Sequence, residues 1–355
     1  MLDKNRLEYA LALLERGVKE GDFPSATAAV GNKDKVYKIC QFGKASLYPK
    51  VLGLDRETLY DLASLTKVVG TTMLAMRFLE KGLITLHDRV VEYIPEFKND
   101  EKERITLFHL LTHTSGLPSH LPLYELCSDY EDAIRYISDV ELDYLPGAQV
   151  RYSDLGFIVL GYVLEQIGGE SLDVLCRRYV FMPLGMLHTC FNPTTDNVAA
   201  TEIDKVSGKV VIGECHDENG RFFGGVSGHA GLFSNIDDMI KFGTVLINGG
   251  KIDGRTFLSP VTFRTMIKNY TNTLNEDRAL GWCVKGDKER ISSGGDIISS
   301  KAFGHTGFTG TSIWIDIEND IYVILLTNRV HPSRDNNYIV RFRRVFHNCI
   351  WASKI

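Results

Sequence analysis

A serine and a lysine three residues apart are the first candidates for chemistry in this sequence. Ser64 and Lys67 form the single Ser-x-x-Lys tetrapeptide of the chain. If Ser64 begins a helix, the two side chains lie on one face and within reach of each other. A lysine that is desolvated in a cleft can lose its proton and activate a serine hydroxyl. The pair is therefore a candidate nucleophile and base, although a surface lysine beside an N-cap serine would have the same spacing.

Tyr152 and Asp154 are the second candidates. They lie between a turn predicted at Pro146-Gly147 and an apolar pattern of helical spacing that begins at Leu155. A phenol and a carboxylate at a helix entrance can point into a cleft. Taken alone, Tyr152 would equally suit a protein core.

The third candidate is a glycine-containing segment in which His305, Thr306 and Gly307 precede Phe308. Glycine lets the backbone approach a ligand closely, and an extended segment presents N–H groups along its edge. Taken alone, His305 would equally suit an ordinary loop. The order Ser-x-x-Lys, Tyr-Ser-Asp, His-Thr-Gly is what makes the three candidates informative together.

The elements predicted around these motifs change from sheet to helix and back. An amphipathic helix over about residues 7–20 precedes a hairpin of strands at 25–30 and 36–40. Helical segments follow near residues 65–81, 106–112, 130–138, 155–167, 171–179 and 235–248. Ser234 is predicted to cap the last of them. Strands at 312–317 and 321–327 and a helix from about 338 to 351 complete the chain.

Both ends of the chain thus provide strands and a helix, whereas the middle provides helices. The predicted fold class is α+β, an α/β sandwich in which residues 1–63 and 250–355 build a discontinuous antiparallel sheet with flanking helices. Residues 64–249 are predicted to be a mainly helical insertion. A chain of 355 residues is long enough for two lobes. We expect the active site in the cleft between them, with Ser64 at the crossing point.

Composition excludes several classes of function. The net charge is −5 with dispersed lysines and arginines, so no nucleic-acid partner is expected. The one basic cluster, Arg341, Arg343 and Arg344, is interpreted as the solvated face of the last helix. No apolar stretch is long enough to span a membrane, and the N-terminus lacks the pattern of a secretory leader. Seven cysteines without a Cys-x-x-Cys pair indicate reduced thiols and a cytoplasmic location.

Other histidines are interpreted as structural. His113 is predicted to lock a polar loop, and His229 is predicted to be a structural loop residue. The segment 214–218 contains adjacent Glu, Cys, His and Asp residues that do not share a helix face, so it is interpreted as a solvated loop and not as a metal site. The sequence predicts no metal and no cofactor.

The order of the motifs resembles the serine β-lactamase-like superfamily, in the branch that contains class C β-lactamases, serine D-Ala-D-Ala carboxypeptidases and related esterases. In that branch a Tyr-x-Asn element takes the place of the Ser-x-Asn of class A enzymes. Matching stretches at 105–117, 228–234 and 326–329 extend the resemblance over nearly the whole chain. The resemblance implies an antiparallel sheet flanked by helices plus an all-helical lobe, in agreement with the pattern-based prediction.

The resemblance also implies roles for individual residues. Ser64 would be the acylated nucleophile, Lys67 its proton partner and Tyr152 the general acid or base. The N–H groups of Ser64 and Phe308 would form the oxyanion hole. A phenol beside an ammonium ionises more readily, so Tyr152 and Lys67 are expected to titrate as a coupled pair. The sequence leaves open which of the two removes the proton of Ser64.

Three positions depart from the usual pattern, one of them Ala230, which aligns where class C β-lactamases place an aromatic residue. Asp154 stands where the family usually has Asn, and an ionised carboxylate can only accept hydrogen bonds. We expect Asp154 to bind Lys67 and hold it charged, which shifts the base role towards Tyr152. His305 replaces the more usual Lys and weakens any fixed positive charge at neutral pH. Efficient β-lactam hydrolysis is therefore not expected.

The predicted function is a serine hydrolase that forms an acyl-enzyme at Ser64 with an ester or amide, as an esterase or a D-Ala-D-Ala-type peptidase. The alternative is a β-lactamase or a penicillin-binding receptor with slow turnover. The expected partner is a small-molecule or short-peptide substrate. No sequence feature specifies the oligomeric state.

Overall fold

Residues 1–99, 101–205 and 207–355 are described by the computed structural model, and they form the predicted α+β arrangement. The helices are α1 Lys4–Glu20, α2 Thr72–Glu80, α3 Leu107–Leu111, α4 Leu123–Leu126, α5 Tyr130–Asp139, α6 Asp154–Gly168, α7 Leu172–Cys176, α8 Met182–Leu184, α9 Glu218–Phe222, α10 Ile236–Ile247, α11 Pro260–Ile267 and α12 Tyr338–Trp351. The strands are β1 Ser25–Gly31, β2 Val36–Gly43, β3 Tyr60–Asp61, β4 Cys190–Phe191, β5 Leu232–Ser234, β6 Lys251–Ile252, β7 Arg255–Thr256, β8 Cys283–Val284, β9 Phe303–Thr306, β10 Ser312–Asp316 and β11 Ile321–Thr327.

The N-terminal and C-terminal strands share one antiparallel sheet in the order β2-β1-β11-β10-β9-β8. β1 pairs with β11, so that Ala28 lies opposite Leu325, and every residue of β1 is buried. The terminal helices α1 and α12 pack together, and their apolar residues join a core cluster on this sheet. The two ends of the chain therefore build the platform that carries the His305 segment on β9.

Helix α10 packs against β1, β10 and β11. Its buried residues include Met239, Phe242 and Leu246, which form the apolar stripe that faces the sheet. This position differs from the predicted division of the chain, in which residues 235–248 belonged to the helical insertion. An apolar stripe of this kind packs equally well on a sheet or on other helices, so the sequence pattern did not show that α10 would pack on the sheet.

The predicted cap of α10 was wrong by one residue. Asn235 is the N-cap, and its side chain accepts a hydrogen bond of 3.0 Å from the N–H of Asp238. Ser234 instead ends β5, where it pairs with Tyr60, and its hydroxyl bonds to Thr189. Ser234 therefore belongs to a strand, although its local sequence favoured a helix N-cap.

The segment around Ser64 is helical but not a regular α-helix. A 3₁₀ turn spans Ala63–Leu65, a π-helical turn spans Lys67–Thr71, and α2 begins only at Thr72. π-Helical turns occur frequently at functional sites. This segment and α6 are buried in the largest core cluster, which fixes their positions. Within the described part of the chain, no helix combines the length and the apolar composition needed to cross a membrane.

Candidate active site

A tight turn presents Ser64 immediately after the short strand β3. Ala63 has φ +46°, which is uncommon for a residue with a side chain and costs on the order of 1–3 kcal/mol. The buried carboxylate of Asp61 supports the turn by accepting 2.7 Å hydrogen bonds from the N–H groups of Ala63 and His216. The strain is therefore concentrated one residue before the candidate nucleophile, where the surrounding structure holds it.

The Ser64 hydroxyl lies beside a fully buried ammonium group. Lys67 Nζ is 3.2 Å from Ser64 Oγ and also donates to the carbonyl of His229 at 3.0 Å. Asp154 Oδ1 lies 2.7 Å from Lys67 Nζ. The Lys67 side chain is 0% exposed and that of Asp154 is 19% exposed. The ion pair expected between Lys67 and Asp154 is thus present.

The charges around Lys67 keep it protonated. Burial alone would lower the pKa of Lys67, but the negative charge of Asp154 and the nearby Tyr152 outweigh burial, and the net shift of the pKa is upward. At neutral pH Lys67 is therefore an ammonium group that donates hydrogen bonds. A free amine ready to remove the proton of Ser64 is not its resting state.

Tyr152 is held by the loop that follows α3. The N–H of Ser153 donates to His113 Nδ1 at 3.1 Å, and the N–H of Arg151 donates to the His113 carbonyl at 2.9 Å. The His113 ring also packs against the Tyr152 ring with centroids 4.7 Å apart. Ser153 then caps α6 by accepting from the N–H of Gly156 at 3.1 Å. His113 therefore locks a loop, as predicted, and in doing so it positions Tyr152.

The hydroxyl of Tyr152 is buried against Ser64 and Lys67. It forms no hydrogen bond of normal geometry with the described residues, but it is close enough to Lys67 and Asp154 for both charges to act on it. Burial raises the pKa of Tyr152 and Lys67 lowers it, with a net rise to about 12. Tyr152 is therefore a neutral phenol at rest, beside the candidate nucleophile Ser64.

The loop between β9 and β10 is fastened to the turn that carries Ser64. Thr309 Oγ1 donates to the Asp61 carbonyl at 2.7 Å, and Thr311 Oγ1 donates to the Leu62 carbonyl at 3.0 Å. A Cβ on Gly307 would lie 2.1 Å from Thr311 Oγ1 and 2.4 Å from the Leu62 carbonyl oxygen. Only glycine fits this approach of the two backbones.

Each of the two joined segments carries a backbone N–H group without an acceptor. No described atom accepts a hydrogen bond from the N–H of Ser64 or from the N–H of Phe308. Free N–H groups beside a nucleophile can stabilise the oxyanion of a tetrahedral intermediate. The carbonyl of Phe308 accepts from Arg329 Nε at 2.8 Å, and the Arg329 guanidinium lies 4.3 Å from the Phe308 ring centre. Arg329 therefore fixes the position of the half-exposed Phe308.

His305 is buried on β9 and carries no charge at neutral pH. Burial lowers the pKa of His305 well below its ordinary value, and Arg278 and Lys67 add to this effect. Its Nδ1 lies 2.9 Å from the carbonyl of Thr306, so the ring donates there from its neutral form. Thr306 ends β9, where it pairs with Ser312. The sequence predicted that His305 would supply less positive charge than the usual Lys, and a buried, neutral imidazole is consistent with that prediction.

A cavity of about 430 Å³ opens over these groups. It is lined by Ser64, Tyr152, Arg278, Cys283, His305, Thr306, Gly307, Phe308, Arg329, Asn337, Ile339, Val340 and Arg343. A larger cavity of about 620 Å³ lies beyond Phe308, between Tyr124 and Arg334, and does not include Ser64. The smaller cavity is the candidate site because it is lined by the candidate nucleophile Ser64 and by Phe308.

Sequence reasoning missed the arginines of this cavity. Arg343 was assigned to a solvated helix face, but it is buried, and its Nη2 donates to the Gly307 carbonyl at 2.7 Å. Arg278 and Arg329 lie outside every motif, so no local signal pointed to them. The mixed pattern of α12 could have raised the question for Arg343, since the apolar residues Ile339 and Phe346 lie four residues before it and three after it, on the same helix face.

The segment 214–218 is a second correction. It was interpreted as a solvated loop, but Cys215 and His216 are buried, at 2% and 3% exposure. Asp217 accepts from His229 Nε2 at 2.8 Å and caps α9. The other nitrogen of His229 bonds to Ser227 at 2.8 Å. His229 is therefore a structural loop residue, as predicted, and its carbonyl helps to hold Lys67.

The assembled geometry suits acyl transfer. A hydroxyl, an ammonium group and a neutral phenol lie together, and the backbone N–H groups of Ser64 and Phe308, which line the same cavity, have no acceptor among the described residues. The hydroxyl can attack a carbonyl carbon, while the N–H groups stabilise the negative charge that develops on the carbonyl oxygen. None of these steps requires a group other than the protein's own side chains and water.

Comparisons with known proteins agree with this chemistry. The model of the Beta-lactamase family matches residues 11–346. The chain belongs to the β-lactamase family. It is accordingly a serine hydrolase. Among curated relatives, the N-acetylmuramyl-L-alanine amidase of Bacillus subtilis (strain 168) is 31% identical over 90% of this chain and 80% of its own length.

A second relative and a solved structure extend the comparison. An Escherichia coli (strain K12) protein, provisionally named a D-alanyl-D-alanine carboxypeptidase, is 33% identical over 77% of this chain and 70% of its own length. The structure of EstCE1, a hydrolase with promiscuous acyltransferase activity, superposes with a TM-score of 0.77. It is 23% identical and covers 97% of this chain and 99% of EstCE1, so it supports the β-lactamase-like fold.

Proposed function

We propose that this β-lactamase-family protein hydrolyses esters or D-Ala-D-Ala-type amides through an acyl-enzyme at Ser64. The observation that carries the proposal is the contact of 3.2 Å between Ser64 Oγ and the buried ammonium of Lys67. The free N–H groups of Ser64 and Phe308 would bind the oxyanion. The names of the two curated relatives, an amidase and a carboxypeptidase, favour an amide substrate, and an ester would react by the same chemistry.

The proton transfers follow from the protonation states. Lys67 and Tyr152 are both protonated at rest, and we assign the base role to ionised Tyr152 because the ion pair with Asp154 holds Lys67 in its charged form. The phenolate accepts the proton of Ser64 as Oγ bonds to the acyl carbon, and it returns that proton to the leaving alcohol or amine as the bond to the acyl carbon breaks. Water then gives a proton to the Tyr152 phenolate as its oxygen bonds to the acyl carbon, and Tyr152 returns that proton to Ser64 Oγ as the bond between Oγ and the acyl carbon breaks and the acid leaves. Lys67 stabilises the phenolate throughout.

A second candidate is a penicillin-binding receptor that is acylated and turns over slowly, or a slow β-lactamase. The ion pair of 2.7 Å between Lys67 and Asp154 favours it, because a lysine held in its charged form cannot help to activate water for deacylation. A cytoplasmic location also remains part of the proposal. It is supported by the cysteines, all seven of which are free thiols.

A substrate panel tests the proposal. Short-chain p-nitrophenyl esters, D-Ala-D-Ala peptides and a chromogenic cephalosporin are incubated with the wild type and with Ser64→Ala. Turnover of an ester or a peptide that disappears in Ser64→Ala supports the proposal. A covalent cephalosporin adduct that persists without product release supports the receptor instead. Equal turnover by the two proteins contradicts both.

A further inference from the structure

Two buried cations lie near the ring of Tyr152. Lys67 Nζ is 4.9 Å from the ring centre, and the guanidinium carbon of Arg278 is 5.6 Å from it. Cations at these distances interact favourably with an aromatic ring and more strongly with a phenolate. Lys67 belongs to the catalytic motif. Arg278 lies in a loop before β8 and has no role in the chemistry described above.

The structure holds Arg278 firmly in this place. Its Nη1 donates to Cys283 Sγ at 3.0 Å, and its Nη2 donates to Glu276 Oε1 at 2.5 Å. Its backbone N–H donates to Thr271 Oγ1 at 2.7 Å. The Arg278 side chain is only 5% exposed and lines the same cavity as Ser64. Its position is therefore set by the fold and does not depend on a substrate.

The charge of Arg278 is only partly balanced. Its ion-pair partner Glu276 is 42% exposed, so solvent screens that carboxylate. The Nε of Arg278 is buried without a hydrogen-bond partner among the described residues. Much of the positive charge is therefore left to act on the interior of the site, where the ring centre of Tyr152 lies 5.6 Å from the guanidinium carbon.

The neighbouring motif residue supplies no comparable charge. His305 is a neutral imidazole whose ring centre lies 5.9 Å from that of Tyr152. The other titratable or charged groups that face Tyr152 are Lys67, Asp154 and His113, besides Arg278 and the hydroxyl of Ser64. Of these, Asp154 opposes ionisation of the phenol and His113 is neutral. Two cations must therefore act against one carboxylate.

We propose that Arg278 is a positioning residue whose charge stabilises the Tyr152 phenolate during acylation, in place of the charge that His305 does not carry. The proposal rests on the proposed function, in which Tyr152 takes the proton of Ser64. Tyr152 first releases its phenolic proton to solvent, and the phenolate then accepts the Ser64 proton as Oγ bonds to the acyl carbon. Arg278 itself exchanges no proton and forms no bond.

The test is the pH dependence of kcat/KM for p-nitrophenyl acetate, a neutral ester that needs no anion-binding group. Arg278→Gln should move the alkaline-rising limb upward by about 1 pH unit, and so lower kcat/KM about tenfold below that limb. Arg278→Lys should restore most of the loss because it keeps the charge. Arg290→Gln is the matched control, since Arg290 pairs with Asp277 in the same region and does not face Tyr152.

A variant of opposite sign keeps the test independent of any folding defect in Arg278→Gln. Glu276→Gln removes the half-exposed partner, so the limb should move downward by about half a pH unit. A limb that stays at its wild-type pH in both Arg278→Gln and Glu276→Gln overturns the role of Arg278, as does an equal upward shift in Arg278→Lys. A wild type without Ser64-dependent hydrolysis instead overturns the proposed function, and this inference falls with it.

Discussion

Replacing Asp154 with Asn should shift the pH dependence of acylation downward. Two unit charges 2.7 Å apart interact by about 1.5 kcal/mol at a dielectric constant of about 80 and by about 6 kcal/mol at about 20. These energies correspond to about 1 and about 4.5 pKa units. Asp154 is one-fifth exposed, so we expect a value towards the lower end, about 2 units.

The direction of the shift is the same for either base. The carboxylate of Asp154 raises the pKa of Lys67 and also opposes the ionisation of Tyr152. Its removal lets both groups lose a proton at lower pH. The second-order rate constant for labelling by a fluorophosphonate, measured from pH 6 to pH 10, should therefore rise about 2 pH units earlier in Asp154→Asn than in the wild type.

The control is Asp143→Asn, which neutralises a nearby carboxylate that pairs with Arg151 at the surface. It should leave the profile unchanged. Adding Tyr152→Phe to Asp154→Asn then separates the two bases, because only a lysine base survives this change. A profile that stays in place or moves upward in Asp154→Asn would refute the electrostatic reasoning. Turnover of a cephalosporin by Asp154→Asn alone would identify Asp154 as the residue that limits β-lactam hydrolysis.

Two further predictions concern the supports of the site. Gly307→Ala should lower kcat for ester hydrolysis about 100-fold or more, because the new Cβ displaces the loop that presents the N–H of Phe308. The control is Gly53→Ala, which should have no effect because a Cβ at Gly53 meets no atom within 4 Å. Equal activity of the two variants would contradict this account. Burial raises the pKa of Glu202, but hydrogen bonds from His216 and Arg334 outweigh burial and lower the pKa to about 2. The Glu202 carboxylate therefore stabilises the fold above about pH 4.5, and this stabilisation is lost as the pH falls towards 2. The loss of Tm between pH 6 and pH 3 should therefore be smaller in Glu202→Gln than in the wild type, and an equal loss would count against the network.

The parts of the fold that the sequence predicted are those with a strong local signal. The last helix was predicted from about 338 to 351 and spans Tyr338–Trp351, because Ile339, Phe342, Val345 and Phe346 recur at helical spacing. The hairpin of β1 and β2 was predicted for a similar reason. The cap of α10 was misplaced because the pairing of Ser234 in β5 is a tertiary event. The packing of α10 on the sheet is also a tertiary contact, so a local sequence pattern could not predict it.

The candidate site divides in the same way. Ser64, Lys67 and Tyr152 were predicted because their residue types and spacing form recognisable motifs in the sequence, and the structure places them side by side. The contact between Lys67 and Asp154 followed from charge alone, once the two motifs were placed in one site. Arg278 could not be found, because its proximity to Tyr152 depends on how a loop without a motif folds against the cavity.

Trapping of the acyl-enzyme tests the central claim most directly. The wild type and Ser64→Ala are incubated with a fluorophosphonate, and intact mass and peptide mapping locate the adduct. This account predicts a single adduct on Ser64 in the wild type and none in Ser64→Ala. An unlabelled wild type, or labelling of Ser64→Ala to the same extent, would contradict it.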